Sequence, residues 1–132
     1  MIDDEIKEWI KKAENDLKVV EHELKLSEGE IAKEDVCFHC QQAIEKYLKA
    51  FLMFHDVKYK RTHDISYLLN ECGKIDNDFS NIEIRNISFF AVEIRYPDVS
   101  YEPSIEEVKF YHELVKQIEK LVLTKLDIEE NA

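Results

Sequence analysis

Apolar residues recur at three- and four-residue steps along most of this chain. Over residues 3–25, Ile6, Trp9, Ile10, Ala13, Leu17, Val20 and Leu24 share one face at 100° per residue, which predicts a first helix. Its opening acids Asp3, Asp4 and Glu5 suit the positive end of the helix dipole. Ser27-Glu28-Gly29 is expected to end it, with glycine supplying the permissive backbone. A second helix is predicted from residues 33–35 to about 55, with Asp35 as a cap or first-turn acid. There Cys37, Cys40, Ile44, Tyr47, Leu48, Phe51 and His55 fall on one side, and His39, Gln42, Lys46 and Met53 fall opposite. Phe38, Ala43, Leu52 and Phe54 widen the apolar sector, so this helix is expected to be central.

Downstream, Thr62 or Asp64 can cap a short third helix through Ile65, Leu68, Leu69 and Cys72, which Gly73 is expected to close. A polar stretch at 74–81 precedes a predicted fourth helix over residues 82–95. That helix must stop there, because Pro97 disfavours helical geometry at Tyr96 and lacks a donor. Ser104 and Glu107 form a capping-box pattern for a fifth helix from Ile105 to about Lys125, with Val108, Tyr111, Val115, Ile118, Val122 and Leu126 inward. Residues 127–132 read as a frayed acidic tail.

The pattern predicts an all-α fold, an up-and-down bundle of about five helices forming one domain over residues 1–132. Two glycines and two prolines leave little turn chemistry for a many-stranded sheet. The wide apolar sectors on helices two and five suggest more hydrophobic surface than one copy hides, which points to a homodimer.

Composition narrows the function. A net charge of −11 repels a phosphate backbone over most of the surface, which argues against broad nonspecific nucleic-acid binding. One local exception is Lys58-Tyr59-Lys60-Arg61-Thr62-His63, readable as a small anion site or as a solvated basic loop. Three cysteines without a secretory leader imply no disulfide framework, and cytoplasmic residence is expected. The longest nearly apolar run, residues 47–57, is far short of the roughly 20 residues of a membrane span.

Several side chains are candidates for chemistry. Arg95 closes the predicted fourth helix on the stripe of Ile84, Ile87 and Ala91, and the bend at Pro97 can bring Asp98 back to pair with it. That pair is either a staple or part of a ligand site. His39, Gln42 and Lys46 project together and can contact a phosphate, a base edge or a partner's carboxylate, or form a solvated face. Gln41 lies near the apolar sector, where an unpaired amide would cost roughly 1–3 kcal/mol. Cys37, His39 and Cys40 do not converge on one point of a helix, so no metal site is expected. His63 beside Asp64 is an oriented imidazole or part of a cap. With no glycine-rich phosphate loop, zinc-protease motif or nucleophile elbow, no cofactor is implied.

Three runs, read in order, resemble one family. They are Cys37-Phe38-His39-Cys40-Gln41-Gln42-Ala43-Ile44-Glu45-Lys46 with Leu48-Lys49-Ala50, then Arg61-Thr62-His63-Asp64, then Ala91-Val92-Glu93-Ile94-Arg95-Tyr96-Pro97-Asp98. Together they resemble the prokaryotic HEPN domain family over nearly the whole chain. The resemblance implies a helical bundle, usually homodimeric, and often a minimal nucleotidyltransferase partner in a toxin–antitoxin or nucleotide-handling pair. Catalytic members are metal-independent ribonucleases with an arginine followed by four to six residues and then a histidine.

This chain departs from that motif. The relevant positions hold Ser66, Tyr67 and Leu68 after Arg61, Phe90, Ala91 and Val92 after Arg85, and Ser100, Tyr101 and Glu102 after Arg95. The expectation is therefore a noncatalytic HEPN-type binding module with a nucleotide or phosphate site around Arg95, Asp98, Lys46, His63, His39 and Gln42. The alternative is a ribonuclease acting on single-stranded RNA through Arg95 and Tyr101. Against it, an ordinary phenol titrates near pH ~10 and is a poor base at neutrality.

Overall fold

A computed structural model describes residues 2–91, 97 and 101–128. Four α-helices account for most of them: α1 (Asp4–Glu23), α2 (Lys33–Phe54), α3 (Ile65–Ile75) and α4 (Ile105–Leu126). Short 3-10 turns lie at Glu28–Glu30, Asn77–Phe79 and Ile87–Phe90. No strand occurs among the described residues.

Side-chain contacts fix the relative directions of the long helices. Trp9 lies near Lys49, Asp16 bonds His39 and Lys46, and Glu23 accepts the backbone N–H of Ala32 at 2.8 Å. Residue numbers rise on α1 as they fall on α2, so the two are antiparallel. Glu107 acts on Cys37 and Glu119 accepts from Tyr47 at 3.1 Å, so α4 runs in the same sense as α2. The central position expected for the second helix holds, since α2 packs on α1, α3, α4 and the Ile87–Phe90 turn.

The helix ends follow from local chemistry. Asp3 caps α1 by accepting from Ile6, and Asp64 rather than Thr62 caps α3 by accepting from Tyr67. At α4 the reciprocal capping box of Ser104 and Glu107 is present. Ala32 gives α2 no side-chain cap, and Glu34 and Asp35 in the first turn supply favourable charge instead.

Several expectations need correction. Gly29 does not end α1, which stops at Leu24 with right-handed geometry, and no glycine has positive φ. Gly73 does not close α3 either: the helix passes through it to Ile75, where Gly73 lets Ser80 approach closely. His55, placed on the core side of the second helix, is exposed because it sits beyond the last turn as the C-cap. Asp127 and Ile128 are held rather than frayed, since Asp127 takes the left-handed conformation and Ile128 donates to Leu123 at 2.9 Å. Residues 129–132 lie outside the described part.

The largest difference is the predicted fourth helix. Asn81 (φ 67°) and Arg85 (φ 50°) adopt left-handed backbone, which an α-helix cannot pass through. A single 3-10 turn is enough to bury Ile87 and Phe90, with Phe90 against Tyr111 at 5.6 Å between ring centroids. The Arg85 guanidinium lies 3.7 Å from the centre of the Phe110 ring, a cation–π contact that offsets part of the backbone strain. Helical periodicity over residues 82–91 thus arose from isoleucines packed by irregular chain.

The apolar sector of α2 is met within one copy: Cys37, Cys40, Ile44, Tyr47, Leu48 and Phe51 are buried, and Phe38, Met53 and Phe54 are half-buried. Among the described residues the exposed large hydrophobics are Val19, Leu26 and Tyr101, scattered along the chain. Excess apolar surface therefore gives no argument for a dimer.

Gly73→Ala tests the helix assignment at α3. As a mid-helix glycine its replacement gains up to about 1 kcal/mol in propensity, provided the Ser80 hydroxyl, 3.3 Å from the new Cβ, turns aside. Urea denaturation should show equal or greater stability. A loss of about 1 kcal/mol or more would mark a left-handed cap instead.

Candidate functional site

The polar residues of α2 form two rows. In the first, His39 and Lys46 converge on Asp16 of α1, with His39 Nδ1 2.9 Å from Oδ1 and Lys46 Nζ 2.5 Å from Oδ2. Gln42, between them in sequence, donates to Gln41 Oε1 at 2.6 Å. The set expected to face solvent or ligand is instead engaged within the bundle, because α1 covers that side of α2. An ion pair this shielded is stronger than a surface pair and also ties the antiparallel helices in register.

The second row is Gln41, Glu45 and Lys49, spaced one turn apart and buried at 0%, 5% and 8% exposure. Glu45 is its centre. Oε2 accepts from Lys49 at 2.9 Å, while Oε1 accepts from His63 Nδ1 at 2.9 Å and from Gln41 at 3.0 Å. The Gln41 amide also donates to the His63 carbonyl at 3.2 Å, so the buried amide is fully engaged. Burial raises the Glu45 pKa, but the hydrogen bonds from Lys49, His63 and Gln41 outweigh it and hold the carboxyl below its usual range. The network therefore contains an ionised carboxylate at neutral pH.

This carboxylate positions a cleft. Trp9 of α1, Lys49 of α2, and Tyr59, Arg61, Thr62 and His63 of the following loop line a space of about 630 Å³. The Lys49 ammonium lies 5.7 Å from the Trp9 ring centre and 5.9 Å from that of Tyr59. Burial, then Glu5 and Glu45, raise the Tyr59 pKa, so its phenol stays neutral. Lys49 and Arg61 against Glu45 leave one net positive charge with His63 neutral and two with it protonated, and Glu5, close enough to act on Tyr59, offsets one of them. Among the described residues Arg61 makes no ion pair. In a chain of net charge −11, this is a local anion-attracting surface with aromatic walls.

Of the basic run singled out from sequence, Tyr59, Arg61, Thr62 and His63 line this cleft, and of the other candidate ligand residues among the described ones none does. Arg95 and Asp98 lie outside the described residues. Lys46, His39 and Gln42 belong to the first row. Tyr101 is exposed and its hydroxyl donates to the Glu107 carboxylate, a bond that pushes its pKa up to about 12. Such a phenol is a still poorer base than an ordinary one. Cys37, Cys40 and Cys72 are fully buried, and burial raises all three thiols, to about 12 for Cys37 and Cys72. They are core residues, inert as nucleophiles.

Trp9 and Lys49 were not marked by their sequence positions as site residues. Trp9 reads as one more member of the apolar stripe and Lys49 as an interruption of one. The usable signal was the basic run after α2, whose Arg61 and His63 do reach the cleft, while Lys60 turns away onto the Tyr67 ring at 4.6 Å.

The fold is that of a helical-bundle domain whose central helix carries a buried Gln–Glu–Lys network beneath a cleft lined by aromatic and basic residues. The HEPN domain model matches residues 6–128, and the chain belongs to that family. No curated protein and no solved structure matches it significantly. Among the described residues no helix is long and apolar enough to cross a membrane.

Replacing Glu45 by Gln should destabilise the protein by about 3 kcal/mol at pH 7, because Lys49 is left buried without its counterion. The sign with pH is fixed by the lowered carboxyl pKa: its stabilisation is complete above the unfolded-state value and is lost as pH falls through the folded one. The gap between wild type and Glu45→Gln should thus narrow below about pH 4 in denaturation series. A gap constant from pH 7 to pH 3 would show that folding does not shift the carboxyl pKa, and one that widens in favour of wild type as pH falls from 7 would show that the folded state holds it neutral.

Proposed function

We propose that this protein is a noncatalytic HEPN-type binding module, cytoplasmic and homodimeric, that acts with a minimal nucleotidyltransferase-type partner in a toxin–antitoxin or nucleotide-handling pair. Its small-ligand site takes a phosphate group at Arg61, joined by His63 in its protonated form, and the observation that carries this is the loop cation Arg61 beside an aromatic-walled cleft whose own carboxylate is already neutralised by Lys49. The homodimer and the partner rest on family membership.

The ribonuclease alternative has less support. The motif histidine is missing after every arginine, and the one substitute, Tyr101, is bonded to Glu107. Cleavage of single-stranded RNA without metal, lost in Arg95→Ala with the fold intact, would reverse this choice. Intact RNA after prolonged incubation is the expected result.

Partner binding is tested by mixing the purified chain with a nucleotidyltransferase encoded beside it, followed by size exclusion and calorimetry. Association at micromolar concentration is expected, and its absence contradicts the partner assignment. Light scattering should give twice the 15.7 kDa chain mass, and a monomer at high concentration would contradict the dimer.

A further inference from the structure

We propose that the groove between α3 and residues 82–84 docks an extended peptide segment of a protein partner, apolar in its middle and basic at its ends, which pairs with the main chain of Ile82–Ile84 as an added strand does. The groove shares no lining residue with the cleft of Trp9 and Tyr59, so this stands apart from the phosphate site.

The chain between Asn81 and Arg85 has the character of a free strand edge. Both flanking residues take left-handed backbone, and the three residues between them are neither helix nor turn. Burial alternates along them, with Ile82 and Ile84 half-buried and Glu83 exposed, the period of two that a one-sided strand shows. Their main chain is unused. Among the described residues the N–H and C=O groups of Ile82 and Glu83 enter no hydrogen bond, and neither does the Ile84 N–H. Successive free peptide groups of this kind are a template for an incoming extended chain.

Room for that chain lies alongside. Leu69, Asn70 and Gly73 of α3 face Phe79, Ile82 and Ile84 across a space of about 440 Å³. Leu69 and Phe79 are buried and give the groove an apolar floor, while Asn70 is exposed and offers an amide. An extended segment can set alternate side chains on this floor and its peptide groups against residues 82–84. A helical segment cannot do the second, because its main-chain groups are already bonded to one another.

Charge selects the ends of the segment. Lys74 is paired with Glu71 at 2.5 Å and Arg85 with Glu83 at 3.6 Å, so the groove itself is close to neutral and suits an uncharged middle. Beyond it the chain carries a net charge of −11, which repels acidic flanks and attracts basic ones.

The test is an amide NMR titration of the full chain with a short peptide of alternating valine and threonine and a lysine at each end. The signals of Ile82, Glu83 and Ile84 should shift and their exchange with solvent should slow. Glutamates in place of the end lysines should weaken binding at least about threefold. An alanine-rich helical peptide with the same lysine ends should leave these signals in place. Glu83→Pro, which deletes a free N–H at an exposed position, should weaken binding about tenfold, while Glu83→Ala, which keeps it, should change binding by less than about threefold. Asn70→Trp should fill the groove and abolish binding; circular dichroism checks that each variant is folded.

No shift at millimolar peptide, shifts confined to other surfaces, or equal binding of the helical peptide would overturn the proposal. Shifts of the same three amides that grow with protein concentration in the absence of peptide would make a second copy the occupant and overturn the partner assignment.

Discussion

One buried carboxylate organises the polar part of this bundle. Glu45 lies on the central helix with 5% of its surface exposed, where an unpaired charge would not be tolerated, and three donors from two different parts of the chain meet it. Lys49 comes from the next turn of α2, while His63 comes from the loop that precedes α3. Removing either donor exposes the cost of the charge, so the geometry of the loop is tied to the ionisation of α2. The same arrangement sets Lys49 between Trp9 and Tyr59 and brings Arg61 to the rim, so the cleft is a consequence of solving the burial of Glu45.

A second carboxylate, Asp16, does for the α1–α2 interface what Glu45 does for the loop. His39 and Lys46 both reach it, at 2.9 and 2.5 Å, across antiparallel helices. Together the two clusters explain why a helix with so many buried positions still carries a Gln-Gln-Ala-x-Glu-Lys run: each polar residue in it has an internal partner. Apolar packing provides the bulk of the stability, and the polar pairs select one register and one path for the loop.

Much of this was legible in the sequence. Periodicity located α1, α2, α3 and α4 within a few residues at most ends, and the Ser104–Glu107 spacing identified a capping box that is present. The predicted fourth helix failed because Ile82, Ile84 and Ile87 match a helical period while Asn81 and Arg85 take left-handed backbone, a tertiary outcome that side-chain pattern alone does not reveal. The cleft was half legible. The basic loop drew attention to Arg61 and His63, but which face of α1 it would meet is long-range information. His39, Gln42 and Lys46 looked like an outward set only because Asp16, some 23–30 residues earlier, could not be seen to lie over them.

The central claim is that Glu45 is ionised inside the bundle and holds His63 through that charge. Its most direct test is a carbon-detected NMR titration of the Glu45 carboxyl in the folded protein. A midpoint below the ordinary 4.5, with the His63 ring signals shifting in the same step, is the predicted result. A midpoint above 4.5, or a carboxyl that titrates without any response from His63, would contradict the account.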